Sequence, residues 1–224
     1  LKELHIDMSQ VEGIFISHEH TDHIAGLQQL LKRFDIPVYT KQGTWREIQD
    51  KLVVPKNQLI ELTKGSLTLG NLIVEPFAVS HDAADPIGIN VFSGNDKATV
   101  VTDTGIISDD ILHRLDDSTL LVLEANYDPH MLRFGPYQPF LKQRVASDEG
   151  HLSNEMAAQA LLMMKRPDFM QVILAHRSEN NNNAVLVTQT IGKMLVDGGV
   201  RIGPEMKLQH GQPNEIVSMQ SVKR

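Results

Sequence analysis

The chain has 224 residues, a formal net charge of -7 and a 41% hydrophobic content, enough for a substantial core in one or two domains. It contains no cysteine, which excludes disulfides and thiolate ligands, so any metal is held by nitrogen and oxygen. The negative balance argues against a generally basic nucleic-acid-binding surface but not a local one, because divalent ions in a cleft add positive charge that a side-chain count omits. No apolar run approaches a membrane span and Leu1-Lys2-Glu3-Leu4-His5 is no signal peptide, so no membrane association and a cytoplasmic location are expected. No linker or composition shift divides residues 1–224, and a single domain is expected.

The first strand is expected over 11–17, and it runs into Ser17-His18-Glu19-His20-Thr21-Asp22-His23. From His18 to His23, six residues hold three imidazoles and two carboxylates, a density that is costly without a partner. A metal is the commonest such partner, and these are the donors that zinc or manganese accepts. A strand carrying His18 and His20 at period two points both rings the same way, and Asp22 and His23, at the turn into a helix, face a second cation. The cluster therefore reads as part of a two-metal hydrolase centre that still lacks ligands. Downstream, Ile24, Leu27, Leu30, Leu31 and Phe34 share one helical face, and Thr44 with Glu47 forms a capping-box signature.

A strand over 72–80 delivers His81, the natural third nitrogen for the His18/His20 metal. Another, over 98–103, ends at Asp103 before Thr104-Gly105, where a carboxylate reaches across two ions about 3.5–4 Å apart. Ser108 opens a short helix, and a strand over 119–124 ends in Glu124. Residues 131–144 are expected to form a loop that mixes cations with aromatics, with Arg133, Lys142 and Arg144 as candidate contacts to a phosphate backbone. Ser153 opens a helix over 154–165 whose Met156, Ala160, Met163 and Met164 face the core. A strand over 171–176 brings His176 to complete the Asp22/His23 metal; Arg177 and the asparagines at 180–183 then add phosphate or sugar contacts. A last helix over 184–196 closes at Gly198-Gly199. Taken alone, His81 and His176 read as loop histidines and Asp103 as a turn residue; strand-end positions behind an incomplete cluster give them the ligating role. His5, His113, His130 and His210 show no partner pattern and are expected to be exposed. Strands alternating with helices, with polar residues gathered at strand ends, indicate a layered α/β protein.

His18-x-His20-x-Asp22-His23 followed by His81, Asp103 and His176 resembles the metallo-β-lactamase superfamily, over essentially the whole chain. Leu121-Val122-Leu123-Glu124-Ala125-Asn126 and Gly150-His151-Leu152-Ser153-Asn154-Glu155 resemble segments of its phosphodiesterase branch, typified by ribonuclease Z. Together with Glu19, Thr21, Gly43-Thr44-Trp45, Ser80-His81-Asp82-Ala83 and the run at 175–181, they narrow the resemblance to YycJ/WalJ-type bacterial exonuclease-like proteins. The resemblance implies a four-layer αββα sandwich and two divalent metal ions, zinc or manganese, held by His18, His20, Asp22, His23, His81, Asp103 and His176. It implies phosphodiester hydrolysis of DNA or RNA ends by a metal-bridging hydroxide that Asp22 helps steer, with His151, oriented by Glu124, as general acid. Rival readings are a small-molecule hydrolase of a lactone, thioester or cyclic nucleotide on the same metals, and a regulatory member without turnover. The superfamily pattern opens with a glycine-rich hairpin, so N-terminal strands are expected to be missing here. His81 and Asp103 are 22 positions apart, which leaves no room for the tRNA-binding arm of ribonuclease Z, and the chain has none for the β-CASP insert of ribonuclease J.

Overall fold

The structure, a computed structural model, describes residues 2–63, 65–213 and 215–217. The chain forms two compact units, Leu1–Ala78 with Ala83–Ile89, and Val79–Asp82 with Asn90–Arg224.

In the first unit, β1 (Ile14–Phe15), β2 (Val38–Thr40) and β3 (Leu59–Glu61) form a parallel sheet in that order. Parallel strands need crossover connections, and α1 (Thr21–Ile24), α2 (Leu27–Leu31) and α3 (Gln42–Lys51) supply them. These helices bury Ile24, Leu27, Leu31, Trp45 and Ile48 against Ile16 and Val38. The ladder takes up only Ile14 and Phe15 of the strand expected over 11–17, so His18 and His20 stand on the loop beyond the strand end and not on the strand itself. The expected continuous helical face is interrupted at Ala25-Gly26, between α1 and α2, and its Leu30 and Phe34 are only half-buried. The capping box is absent as well. α3 starts at Gln42, and Thr44, buried inside its first turn, donates its hydroxyl to the Asp85 carbonyl at 3.2 Å. An antiparallel hairpin, β4 (Leu67–Leu69) with β5 (Leu72–Ala78), turns at Gly70, whose φ of 53° favours a residue without Cβ. β6 (Ile87–Ser93) starts here, and Ile87 joins Tyr39 and Leu62 in a second apolar cluster.

In the second unit, β7 (Asp96–Val101), β8 (Leu120–Glu124), β9 (Met170–Ala175) and β10 (Met206–His210) pair in parallel, in the order β10-β9-β8-β7. The crossovers carry α4 (Asp109–Leu115), then α5 (Pro129–Phe134), α6 (Pro139–Val145) and α7 (Asn154–Met163), and finally α8 (Ala184–Asp197). A covered parallel sheet reads as near-continuous apolar runs, and Leu121, Leu123, Met170, Val172, Leu174 and Met206 are all buried. α7 packs on α8 through a small-residue face: Ala157, Ala158 and Leu161 go inside with Val187, Ile191 and Leu195. Of the stripe expected to face the core, Ala160 and Met164 are buried and Met156 is half-buried, while Met163 is 67% exposed. The segment expected as a loop is instead two short helices, α5 and α6, each with proline in its first turn, where the ring presets φ and the missing N–H costs nothing. All four parallel strands end at one edge, which brings Asp103, Glu124, His176 and His210 to or just past strand termini.

Ser108, Ser153 and Asn183 cap α4, α7 and α8, each accepting a backbone N–H three residues on. Ser108→Ala should lower unfolding stability by about 1 kcal/mol in urea titrations, and Ser108→Asp should retain it.

Candidate metal centre

In the first unit the donors cluster on the loop after β1 and the start of α1. His18 is buried, and its ring lies 4.6 Å from that of His20 and 4.0 Å from that of His23, centroid to centroid. Ser17 Oγ stands 3.1 Å from Nδ1 of both His18 and His23, so one hydroxyl fixes two rings. Asp22 Oδ2 lies 3.5 Å from His23 Nε2 and is the most exposed donor of the set, at 67%. Glu19 does not join them. Its buried carboxylate accepts the Ala84 N–H at 2.8 Å, and its carbonyl accepts from Lys51 Nζ at 3.1 Å, which pins the loop between the histidines.

In the second unit His81, Asp103, Glu124, His151 and His176 come together at the sheet edge. Asp103 and His176 both have left-handed backbone, with φ of 57° and 51°, a conformation that Asp and His adopt more readily than most residues. Each sits where the chain leaves a strand, and the reversal turns its side chain back across the edge. Asp103 Oδ1 is surrounded by imidazoles: His176 Nε2 at 3.5 Å, His81 Nε2 at 3.7 Å and His151 Nδ1 at 3.7 Å. Two ligand atoms on one tetrahedral zinc stand about 3.3 Å apart, given metal–ligand bonds of about 2.0–2.1 Å, so the separations of Asp103 from His176 and from His81 fit donors to a common cation, whereas His151 Nδ1 is turned to Glu124.

The tautomers follow from the partners. His81 Nδ1 meets the Gly150 carbonyl at 3.1 Å and His176 Nδ1 meets Glu124 Oε1 at 2.8 Å; both oxygens only accept, so Nδ1 carries the proton and Nε2 the lone pair. Burial pushes the His81 imidazole below its ordinary pKa, against the opposing charge of Asp103, which keeps it in the neutral form that binds metal. Glu124 Oε1 also takes His151 Nδ1 at 2.7 Å, while Oε2 accepts the backbone N–H groups of Leu152 at 3.1 Å and Thr104 at 3.3 Å. Burial alone would raise the Glu124 pKa; the hydrogen bonds and charges of His151 and His176 overcome it and hold the carboxyl below its ordinary value.

The sequence pairs Glu124 with His151 only. The structure adds His176, together with the Gly150 carbonyl on His81 and Asn126, whose amide donates to the His176 carbonyl at 2.8 Å. Of the candidate phosphate contacts, Arg144 is engaged in a two-pronged ion pair with Asp82, and Lys142 donates to the Arg133 carbonyl at 2.8 Å. Arg133 lies over the Phe134 ring at 5.3 Å, and Arg177 follows His176. His210, expected to be exposed, is half-buried and contacts the Thr188 hydroxyl at 2.8 Å, while His5, His113 and His130 are exposed.

The family model described as "Beta-lactamase superfamily domain" matches residues 2–176. The chain is 34% identical to "Exodeoxyribonuclease YycJ" of Bacillus anthracis over 223 residues, covering 99% of this chain and 84% of that protein. It is 31% identical to "Exodeoxyribonuclease WalJ" of Streptococcus pneumoniae over 219 residues, covering 96% and 81%. Among solved structures, the metallo-beta-lactamase fold protein YhfI from Bacillus subtilis aligns with a TM-score of 0.65 at 15% identity, over 91% of this chain and 76% of that one. The α/β fold expected from the sequence is therefore that of metallo-β-lactamases, and the chain belongs to the beta-lactamase superfamily of metal-dependent hydrolases.

Proposed function

We propose that this chain is a two-metal phosphodiesterase that degrades DNA from its ends. His18, His20, Asp22 and His23, with His81, Asp103 and His176, would hold two divalent ions, zinc or manganese. Such ions, when bound, supply Lewis acidity and acidify water to a pKa of about 7. Asp22, the most exposed donor, would be the carboxylate that orients an incoming water.

The observation that carries the reading is the double hydrogen bond at Glu124 Oε1, which ties His151 to the ligand His176. Expelling a sugar alkoxide from a phosphodiester requires a proton. His151 would give it: its Nδ1–H is held by Glu124, which leaves Nε2 to deliver the proton. The ionised carboxylate balances the charge of the protonated ring. Esters and thioesters, whose leaving groups need less help, have less use for such a pair. The names of the YycJ and WalJ relatives support DNA as the polymer.

End-labelled single- and double-stranded DNA and RNA, offered with manganese or zinc beside bis(nitrophenyl) phosphate and a lactone, test the proposal. Shortening of DNA from its ends is expected; consumption of the lactone alone would sink it. Chelation followed by dialysis should abolish turnover, and added manganese or zinc should restore it, with elemental analysis giving two ions per chain. His151→Ala should keep both ions and lose about 10²–10⁴-fold in kcat. Glu124→Gln should lose activity and also bind metal about 10–100-fold more weakly, because it disturbs His176.

A further inference from the structure

We propose that Arg177 is a phosphate-binding residue for the nucleic-acid strand, holding a phosphate neighbouring the one that is cleaved; this rests on the phosphodiesterase reading above. Arg177 directly follows His176, whose ring is locked between Glu124 and Asp103. Its guanidinium makes no hydrogen bond and no ion pair among the described residues, and its Nη1 is shielded from solvent without a partner. A guanidinium carries five donors and does not lose its proton, so a shielded N–H with no acceptor is a cost that the fold sustains without return. Glu179, two residues on, is exposed and does not neutralise it.

The surroundings point the same way. β10 runs beside β9 with His210 opposite Leu174, and the Gly211 N–H donates to the Leu174 carbonyl at 2.8 Å, so the end of β10 flanks the chain that leads into Arg177. Thr188 donates its hydroxyl proton to the Ala184 carbonyl at 2.9 Å, so its oxygen accepts from His210 Nε2–H at 2.8 Å. His210 Nδ1 is then the lone-pair nitrogen, and it too is buried and unpartnered. Burial first, and the charge of Arg177 second, push this imidazole below its ordinary pKa, so the ring lines the niche without adding or cancelling charge. The niche thus holds one fixed cation and, among the described residues, no carboxylate paired with it. Phosphate is the acceptor that matches: its oxygens take the planar fork two at a time, and the partial shielding strengthens the contact over one in open water.

Binding is measured without turnover. A fluorescein-labelled single-stranded DNA oligonucleotide is titrated by anisotropy in EDTA at several salt concentrations with wild type, Arg177→Met and Arg177→Lys. Arg177→Met should bind about tenfold more weakly at low salt, with the slope of log affinity against log salt reduced by about one. Arg177→Lys should recover the slope, because it restores the charge, and should regain only part of the affinity, because it lacks the fork. An Arg177→Met protein that melts earlier but keeps the wild-type slope would show that Arg177 serves the fold alone and overturn the proposal. Should Arg177→Met fail to fold, Arg177→Gln takes its place with the same two readings. Wild type that fails to bind the oligonucleotide at any salt in EDTA, with a manganese-loaded His151→Ala protein failing as well, would instead strike at the nucleic-acid reading itself.

Discussion

A carboxylate with no solvent exposure, Glu124, is the constraint on which the second unit's site depends. An isolated buried anion is not tolerated, and Glu124 is stable because four N–H donors converge on it: two imidazoles on Oε1 and two backbone amides on Oε2. Those donors come from the turn after β7, from the segment entering α7 and from the end of β9. One ionised side chain therefore fixes three stretches of backbone as well as the two rings. Losing any one donor would leave the charge undercompensated, which is why the arrangement has one geometry and not several.

The second constraint is backbone strain at the strand ends. Left-handed conformations at non-glycine residues cost on the order of 1–3 kcal/mol each, and Asp103 and His176 both carry one. Their neighbours hold them there. Gly105 donates its N–H to the Ser80 carbonyl at 2.9 Å, and an added Cβ at Gly105 would meet the Asp148 carbonyl carbon at 2.3 Å. The Asn126 amide grips the His176 carbonyl in the same manner. The apolar strands behind, with Leu121, Leu123, Val172 and Leu174 buried, form the rigid base against which this strain is held.

What was legible in the sequence follows from which interactions have a local signature. The imidazoles and carboxylates just past strand ends, the apolar runs of β8 and β9 and the caps at Ser108 and Ser153 are written within a few residues, and they were readable. The three-residue strands β2, β3 and β4 are too short to show a period, and the capping-box pattern at Thr44 misled because its hydroxyl was needed by Asp85. α5 and α6 read as loop because prolines and aromatics mask a helical period in six or seven residues. The Glu124–His176 bond joins positions 52 apart, and the partner of His81 is a carbonyl, which no side chain announces. Pairings of that kind belong to topology, and only the sheet order makes them visible.

Charge placement is the remaining constraint. A chain of net charge -7 that is to hold a polyanion must concentrate its attraction locally. In the second unit the fold uses several of its cations for itself: Arg144 on Asp82, Lys142 on the end of α5 and Lys165 on Asp117. Exposed cations of that sort add little, since a pair at 4 Å in bulk water gains only about 1 kcal/mol, against about 4 kcal/mol at the lower effective dielectric near a protein surface. If Arg177 binds phosphate as proposed, a shielded guanidinium beside His176 would be worth several exposed lysines for this purpose, and it would act at one position instead of along a face. On this view the grip on substrate would come from the metals and a few fixed donors at the sheet edge. Under the function proposed above, such a chain would engage a strand where it is cut and would have little hold on nucleic acid elsewhere, as suits an enzyme that works at ends and not one that coats its polymer.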